Sequence, residues 1–511
     1  MSADPADLPG TLTDAPYAAL PAARPPLGGS RSADVVVVGG GIVGVTTALR
    51  LAERGFEVVL LEAHRIAGGT SGRSTGKVTS QHGPIYAELT DRHGSETARF
   101  YAARNEAAVH TIADLVDEHT IDCQLETVAT HLHALTARGA ATLRREATVA
   151  RELGLPAVLT DDAPVPDVVS AAVRFDDQRQ FDPRAYVVGL ADATEEQGAV
   201  LHEHSPVRKV RPRRGRVTVH TDTGVIDAGH VVLAMLTPWP DPVGAFARAH
   251  PSRAICVAAE LDGPVPADPS LGVDGPSRST RRFVGPDGAE RLILVTSGWR
   301  PGATDERDAF RELTDDAVHR WGATRLTHRW GAMDQVSTDL LPMVGGVSGD
   351  AQLLVATGFS KWGMTGGTVA AELLTARIAG EGTRTPFDAA RLPDVRAVAK
   401  MAAAGARFGY EIVRDRIPRP GAARAVDDVT GTVGAGRIVA TPTGPVAVCT
   451  AADGTVCARS ATCTHLGCTV RWNDAAGAWD CACHGSRFAP TGEVLSGPAT
   501  SPLKPRDVPG R

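Results

Sequence analysis

Residues 35–44 read Val35-Val36-Val37-Val38-Gly39-Gly40-Gly41-Ile42-Val43-Gly44, and this stretch decides the fold of most of the chain. Four apolar, β-branched residues without polar alternation suit a parallel strand buried on both faces. Gly39, Gly41 and Gly44 match G-x-G-x-x-G at the junction of that strand with a helix. Gly39 permits the tight turn, Gly41 lets a diphosphate approach the backbone, and Gly44 lets helix and strand pack closely. Val45 to Arg54 reads as the helix, closed by Gly55. Its N-terminus offers amide hydrogens and a positive dipole end to phosphates. Val58 to Leu61 is the second strand, and Glu62 at its end is placed to accept hydrogen bonds from a ribose. A glycine-rich turn with no ligand is the bland alternative, but strand, turn, helix, strand and acid in order favour a dinucleotide site.

Working outward, 511 residues allow two or three domains. A net charge of -6 gives no basic stripe and so no case for nucleic acid. No stretch approaches the roughly 18 apolar residues of a membrane span. Residues 1–33, rich in Ala, Pro and Asp, lack the pattern of a secretory signal and are expected to form a disordered arm. The expected location is cytoplasmic. From about Thr130 to Phe310 short alternating strands such as Arg216 to His220 and Leu292 to Val295 predict an antiparallel substrate sheet inserted into the nucleotide domain. Leu353 to Gly358 returns to a buried strand, followed by a helix over Gly367 to Ile378. The expected division is a Rossmann-like α/β domain over 34–395, a linker over 396–430 containing Arg416-Ile417-Pro418-Arg419-Pro420-Gly421, and a small all-β domain over 431–511.

Several separated segments give the larger domain a resemblance. They are Gly68-Gly69-Thr70-Ser71-Gly72-Arg73-Ser74-Thr75-Gly76, Asp182-Pro183-Arg184, Trp330-Gly331, Thr338 to Gly345, and Ala356-Thr357-Gly358-Phe359-Ser360-Lys361-Trp362-Gly363-Met364-Thr365. In these the chain resembles FAD-dependent oxidoreductases of the glycine oxidase and D-amino-acid oxidase type. The resemblance implies FAD held by Gly39, Gly41, Ile42, Val43, Gly44, Glu62 and Ala63. The small-residue loop adds Gly69, Thr70, Ser71, Arg73, Ser74, Thr75 and Gly76. Val207 and the closing segment add Gly358, Lys361, Trp362, Gly363, Met364 and Thr365. No second strand-linked glycine fingerprint appears, so a nicotinamide domain is not expected, and no Cys in these segments invites covalent flavin attachment. In some relatives a Lys stands where this chain has Thr365; here Lys361 stands four positions earlier, a candidate to bind a substrate anion or polarise the flavin. His82, just past the flavin loop, is a candidate base.

Eight cysteines in so long a chain do not make a disulfide scaffold, but six crowd the C-terminus: Cys449, Cys457, Cys463, Cys468, Cys481 and Cys483. Cys463-Thr464-His465 and, after residues 466–480, Cys481-Ala482-Cys483-His484 pair two Cys-His units. This reads as a Rieske [2Fe-2S] site, with Cys463 and Cys481 on one iron and His465 and His484 on the other. Two Cys and two His also suit tetrahedral zinc. The additional Cys468 and Cys483, the flanking Gly467 and Gly485, and a third loop Gly497-Pro498-Ala499 favour the cluster. These features resemble the Rieske proteins of cytochrome bc-type complexes, which implies a disulfide between Cys468 and Cys483. By the same resemblance Ser486 donates a hydrogen bond to a cluster sulfur, Pro498 belongs to the cluster surround, and Phe488 replaces a tyrosine hydroxyl. Losing that hydrogen bond lowers the potential, so an intermediate value is expected within the range of about −150 to +300 mV for such centres.

His131, His133, His202 and His204 could begin a mononuclear iron site, but exposed strand histidines are the reading the sequence favours. Three functions stay open. The first is a dehydrogenase passing electrons from a small amine, amino-acid-like or hydroxy-acid substrate through FAD and the cluster to a protein or quinone acceptor. The second is an electron-transfer or redox-sensing module without a small substrate. The third is an oxygen-using oxidase with a structural cluster.

Overall fold

Val35, Val37, Val58 and Leu60 pack into one hydrophobic core while Val36, Val38, Val59 and Leu61 pack into another, so both faces of these strands are buried. They belong to an eight-stranded sheet. In the computed structural model, which describes residues 14–508 apart from 214, 276–277, 303–305, 348–349, 383 and 415–428, the strand Gly29–Val38 runs parallel to Val58–Leu61 on one side and to Gly224–Leu233 on the other. Val200–His202 and Asp350–Thr357 extend the parallel run outward. The helices Ile42–Ala52 and Gly363–Ile378 pack together over one face. Each starts a few residues earlier than the sequence pattern alone indicates, because glycine at the head of each helix obscures its first turn.

The second sheet has nine strands. It is mixed rather than purely antiparallel: Ser270–Gly272 runs parallel to Glu126–Ala134, while Ala249–Leu261, Glu290–Trp299, Ala323–Ser337 and Arg278–Val284 pair antiparallel. Beyond the helix Val395–Arg414 the chain forms a three-stranded and a four-stranded sheet. The expected linker motif Arg416 to Gly421 lies outside the described residues.

The arm expected over 1–33 is ordered from residue 14. Tyr17 is buried, its hydroxyl donates to Ser74 O at 2.7 Å, and its ring meets Phe283 and Trp330 edge-on at 5.0 and 6.2 Å. Asp182 accepts from Ala18 N at 2.8 Å as well as capping the helix Pro183–Glu196. One aromatic anchor thus overrides an Ala- and Pro-rich composition, and residues 1–13 lie outside the description. The histidine pairs also differ from expectation. His131, His133 and His202 are buried rather than exposed. His202 Nδ1 donates to Pro25 O at 2.9 Å, and among the described residues none of the four joins a group of metal-ligand spacing.

Candidate functional site

A cavity of about 1420 Å³ runs between the two large sheets and is closed at one end by the C-terminal domain. It exceeds the roughly 300–1,000 Å³ of ordinary small-molecule sites. Its nucleotide end is built by the turn after Gly29–Val38. Gly39 has φ +115°, and a Cβ there would lie 2.6 Å from Ala234 O. A Cβ on Gly44 would stand 1.9 Å from Gly39 O, so helix and turn can meet only through glycine. Gly41 caps the helix without a side-chain partner, Ile42 N donates to Ser71 Oγ at 3.0 Å, and Glu62 accepts from Gly40 N and His64 N at 2.7 and 2.8 Å.

Of the residues expected at the cofactor, Gly39, Gly41, Ile42, Val43, Glu62, Ala63, Gly69, Thr70, Ser71, Arg73, Ser74, Thr75, Val207, Lys361, Trp362, Gly363 and Met364 line this cavity. Gly44, Gly76, Gly358 and Thr365 sit behind its lining. Gly76 is wedged where a Cβ would meet Phe181 O at 2.3 Å, and Thr365 Oγ1 lies 3.0 Å from His82 Nε2.

His82 lines the cavity but has no ring nitrogen free to act as a base. It is 4% exposed, its Nδ1 accepts from Tyr101 OH at 2.7 Å, and its Nε2 donates to Thr79 O at 2.8 Å. Both nitrogens are engaged, its ring stacks on Trp362 at 4.7 Å, and burial lowers its pKa to about 3. Lys361 does face the cavity, with Nζ 2.8 Å from Ser297 Oγ. Sequence reasoning missed two further lining residues, Lys77 and Cys256. Lys77 donates to Ser279 Oγ, and burial with the nearby Arg281 lowers its pKa to about 7. Cys256 is a protonated thiol, pushed by burial to about 12.

Beside the cavity two loops of the C-terminal domain meet. Gly467 N donates to Cys463 O and Gly485 N to Cys481 O, each at 3.0 Å, and both glycines have positive φ. The two turns set the Cys463 and Cys481 thiols against each other, and the His465 and His484 rings 4.9 Å apart at 89°. His465 Nδ1 is buried with no hydrogen-bond partner, as a metal-ligating nitrogen stripped of its metal would be. Cys468 and Cys483 form a disulfide joining the loops, as expected. Ser486 Oγ accepts from Ala499 N at 3.0 Å, and its hydroxyl hydrogen is left for Cys463. Phe488 is fully buried. The residues present fit a two-iron cluster with thiolates at one side and imidazoles at the other.

Residues 34–377 match the model of the family described as FAD dependent oxidoreductase. The chain belongs to this family. Residues 422–506 match the Rieske [2Fe-2S] domain, so this FAD-dependent oxidoreductase carries a C-terminal Rieske domain. The chain is 31% identical to the Rieske 2Fe-2S iron-sulfur protein YhfW of Bacillus subtilis over 93% of each chain. It is 29% identical to the gamma-glutamylputrescine oxidoreductase of Escherichia coli over 40% of this chain and 49% of that protein. The glycine oxidase of Geobacillus kaustophilus shares the fold of the larger domain, with TM-score 0.59 and 20% identity, covering 71% of this chain and 99% of that one.

The Rieske domain is docked on the flavin domain. Trp239 meets His465 edge-on at 5.7 Å, and Phe246 meets His484 at 5.8 Å. Gln335 Nε2 donates to Thr237 Oγ1 at 2.7 Å and to His484 O at 3.4 Å. Gly485 lies against Pro251 and Met333, where a Cβ would come within 3.2 Å. Arg300 donates to Ala482 O at 3.3 Å, and Arg307 pairs with Asp474 at 3.2 Å. Residues Val494 to Thr500 line the same cavity as Gly39 and Ser71. Among the described residues no helix is long and apolar enough to cross a membrane.

Proposed function

We propose that the protein is a cytoplasmic dehydrogenase. It oxidises a small amine, amino-acid-like or hydroxy-acid substrate and passes the electrons one at a time through the Rieske cluster to a separate acceptor, a protein or a quinone. The observation that carries this reading is the docking of the two histidine-bearing loops onto the wall of the flavin cavity. When bound, FAD takes two electrons as a hydride equivalent from a C–H bond beside nitrogen or oxygen, and the cluster carries single electrons. Cys463, Cys481, His465 and His484 are the proposed ligands.

The remaining residues have definable roles. The head of the helix Ile42–Ala52 and Ser71 receive the diphosphate, and Glu62 keeps lone pairs for the ribose. Trp239 and Phe246 stand edge-on against the two imidazoles and seat them on the flavin domain. Gln335 ties the cavity wall to the cluster loop and holds the two domains in register. Ser486 directs its hydroxyl at Cys463 sulfur, whereas Phe488 offers no donor, which supports an intermediate potential. The names of the gamma-glutamylputrescine oxidoreductase and the glycine oxidase favour C–N over C–O oxidation.

Anaerobic stopped-flow against a panel of amines, amino acids and hydroxy acids tests this. The expected result is bleaching of the flavin followed by reduction of the cluster. Peroxide formation in air with an unreduced cluster would favour an oxidase, and silence with every small molecule would favour an electron-transfer module.

A further inference from the structure

We propose that the cavity wall formed by the nine-stranded sheet is a dianion site, in which Lys77 and Lys361 each hold one anionic group of a substrate that carries two, such as a dicarboxylic amine or hydroxy acid. This rests on the cavity being the substrate site, and it narrows the substrate class beyond that reading.

The register of the strands places the two lysines. Leu271, Ser279, Val295, Cys256 and Trp330 are paired in one row across the sheet, and Ser297, Ala254 and Ala332 form the next row on the same face. All of them line the cavity. Lys77 donates to Ser279 Oγ and Lys361 to Ser297 Oγ, the latter at 2.8 Å. Ser279 lies opposite Val295, two residues before Ser297, so the two serines are diagonal neighbours, about 7–8 Å apart between Cα atoms. Both lysine Nζ atoms are therefore tied to neighbouring positions of one wall, which sets the two side chains within the reach of a short dicarboxylate.

The charges on this wall are unbalanced. Among the described residues neither lysine has a carboxylate within salt-bridge distance; each has only a neutral hydroxyl. Asp334 lies near Lys361, but its oxygens accept from Gln335 N at 2.7 Å and from the backbone N–H of Lys361. Arg281 stands beside Lys77, buried, and bonds the carbonyls of Thr75, Phe181 and Arg282, and among the described residues it makes no ion pair. The arginines that line this cavity each face a carboxylate: Arg65 faces Glu203 at 3.0 Å, Arg208 Asp222 at 2.7 Å, Arg253 Glu306 at 2.7 Å, Arg487 Asp480 at 2.6 Å and, more loosely, Arg73 Asp14 at 3.9 Å. Cations removed from water are costly unless paired, so the two unpaired lysines mark where anionic groups belong.

The test is a binding titration of the intact flavin-loaded protein, read by perturbation of flavin absorption and by calorimetry. The probes are succinate, glutarate and adipate, with butyrate as the monoanionic match. At least one dicarboxylate is expected to bind about 10-fold or more tighter than butyrate, the increment of one further charged hydrogen bond. Lys77→Met and Lys361→Met should each abolish that preference while leaving butyrate binding. Lys77→Gln and Lys361→Gln, which keep a donor for the serine, control for folding and should lose it too. Equal affinity for the two anion classes in the wild type would overturn the proposal. So would a preference that survives either substitution, including the case where Lys361→Met alters only the spectrum of the ligand-free flavin. Because the readout needs no turnover, a failed electron-transfer experiment with intact dicarboxylate preference would indict the electron route alone.

Discussion

At the nucleotide end of the cavity the turn, helix head and ribose-facing acid come from one continuous stretch, Val35 to Glu62, whereas the opposite wall draws Leu271, Ser279, Val295, Cys256 and Trp330 from five strands. The first is held by backbone sterics, with glycines where no side chain fits. The second is held by sheet register, and its function resides in interchangeable side chains. Diphosphate recognition needs close approach of the main chain, which only glycine permits. Substrate selection needs a rigid face on which a few polar groups can be exchanged.

Substitutions at the two ends should therefore fail differently. The largest effect is expected from Gly44→Val, whose Cβ would fall 1.9 Å from Gly39 O. Flavin retained through gel filtration should drop to near zero, with a stability loss on the order of 3–5 kcal/mol in chemical unfolding. Ser279→Ala on the wall should retain full flavin and cost about 1 kcal/mol. Equal flavin loss in both would erase the contrast.

The Rieske end shares the backbone logic of the nucleotide end, with a ligand set confined to two short loops. His465→Ala should remove most bound iron and the cluster's electron paramagnetic resonance signal while leaving flavin content unchanged. Joint loss of both cofactors would show that the two ends are not independently built.

A smaller change is expected from Phe488→Tyr. One added hydrogen bond to the cluster surround, worth roughly 1 kcal/mol, should raise a one-electron potential by about 40 mV in a redox titration. A potential that stays fixed or falls would remove Phe488 from the tuning of the cluster.

A pH-dependent effect is expected at Lys77, whose pKa burial lowers from the ordinary 10.5 to about 7. Between those values the unfolded chain binds more protons, so substrate-free stability contributed by this group rises with pH from about 7 towards 10. Relative to Lys77→Met, the wild type should gain thermal stability over that window. A parallel pH profile for the two proteins would place Lys77 in water.

The nucleotide turn and the cluster loops were legible in sequence because their chemistry constrains residues close together in the chain. The wall was not. Lys77 sits on a two-residue strand, and its partner Ser279 is distant in sequence, so no local spacing announces the pair. His82 misled in the opposite sense: it stands beside the flavin loop in sequence, yet Tyr101 and Thr79 consume both nitrogens. The ordered segment from residue 14 depended on Tyr17 finding a slot between Phe283 and Trp330, residues brought together only by the folded sheet. The docking of the Rieske domain was equally invisible, since Trp239, Phe246 and Gln335 carry no motif.

That docking is most directly tested by photoreducing the protein-bound flavin anaerobically and following flavin absorbance and the cluster's paramagnetic signal at several protein concentrations. Electron transfer within one molecule predicts that the cluster becomes reduced at a first-order rate independent of concentration. A cluster that stays oxidised, or a rate that rises in proportion to protein concentration, would contradict it.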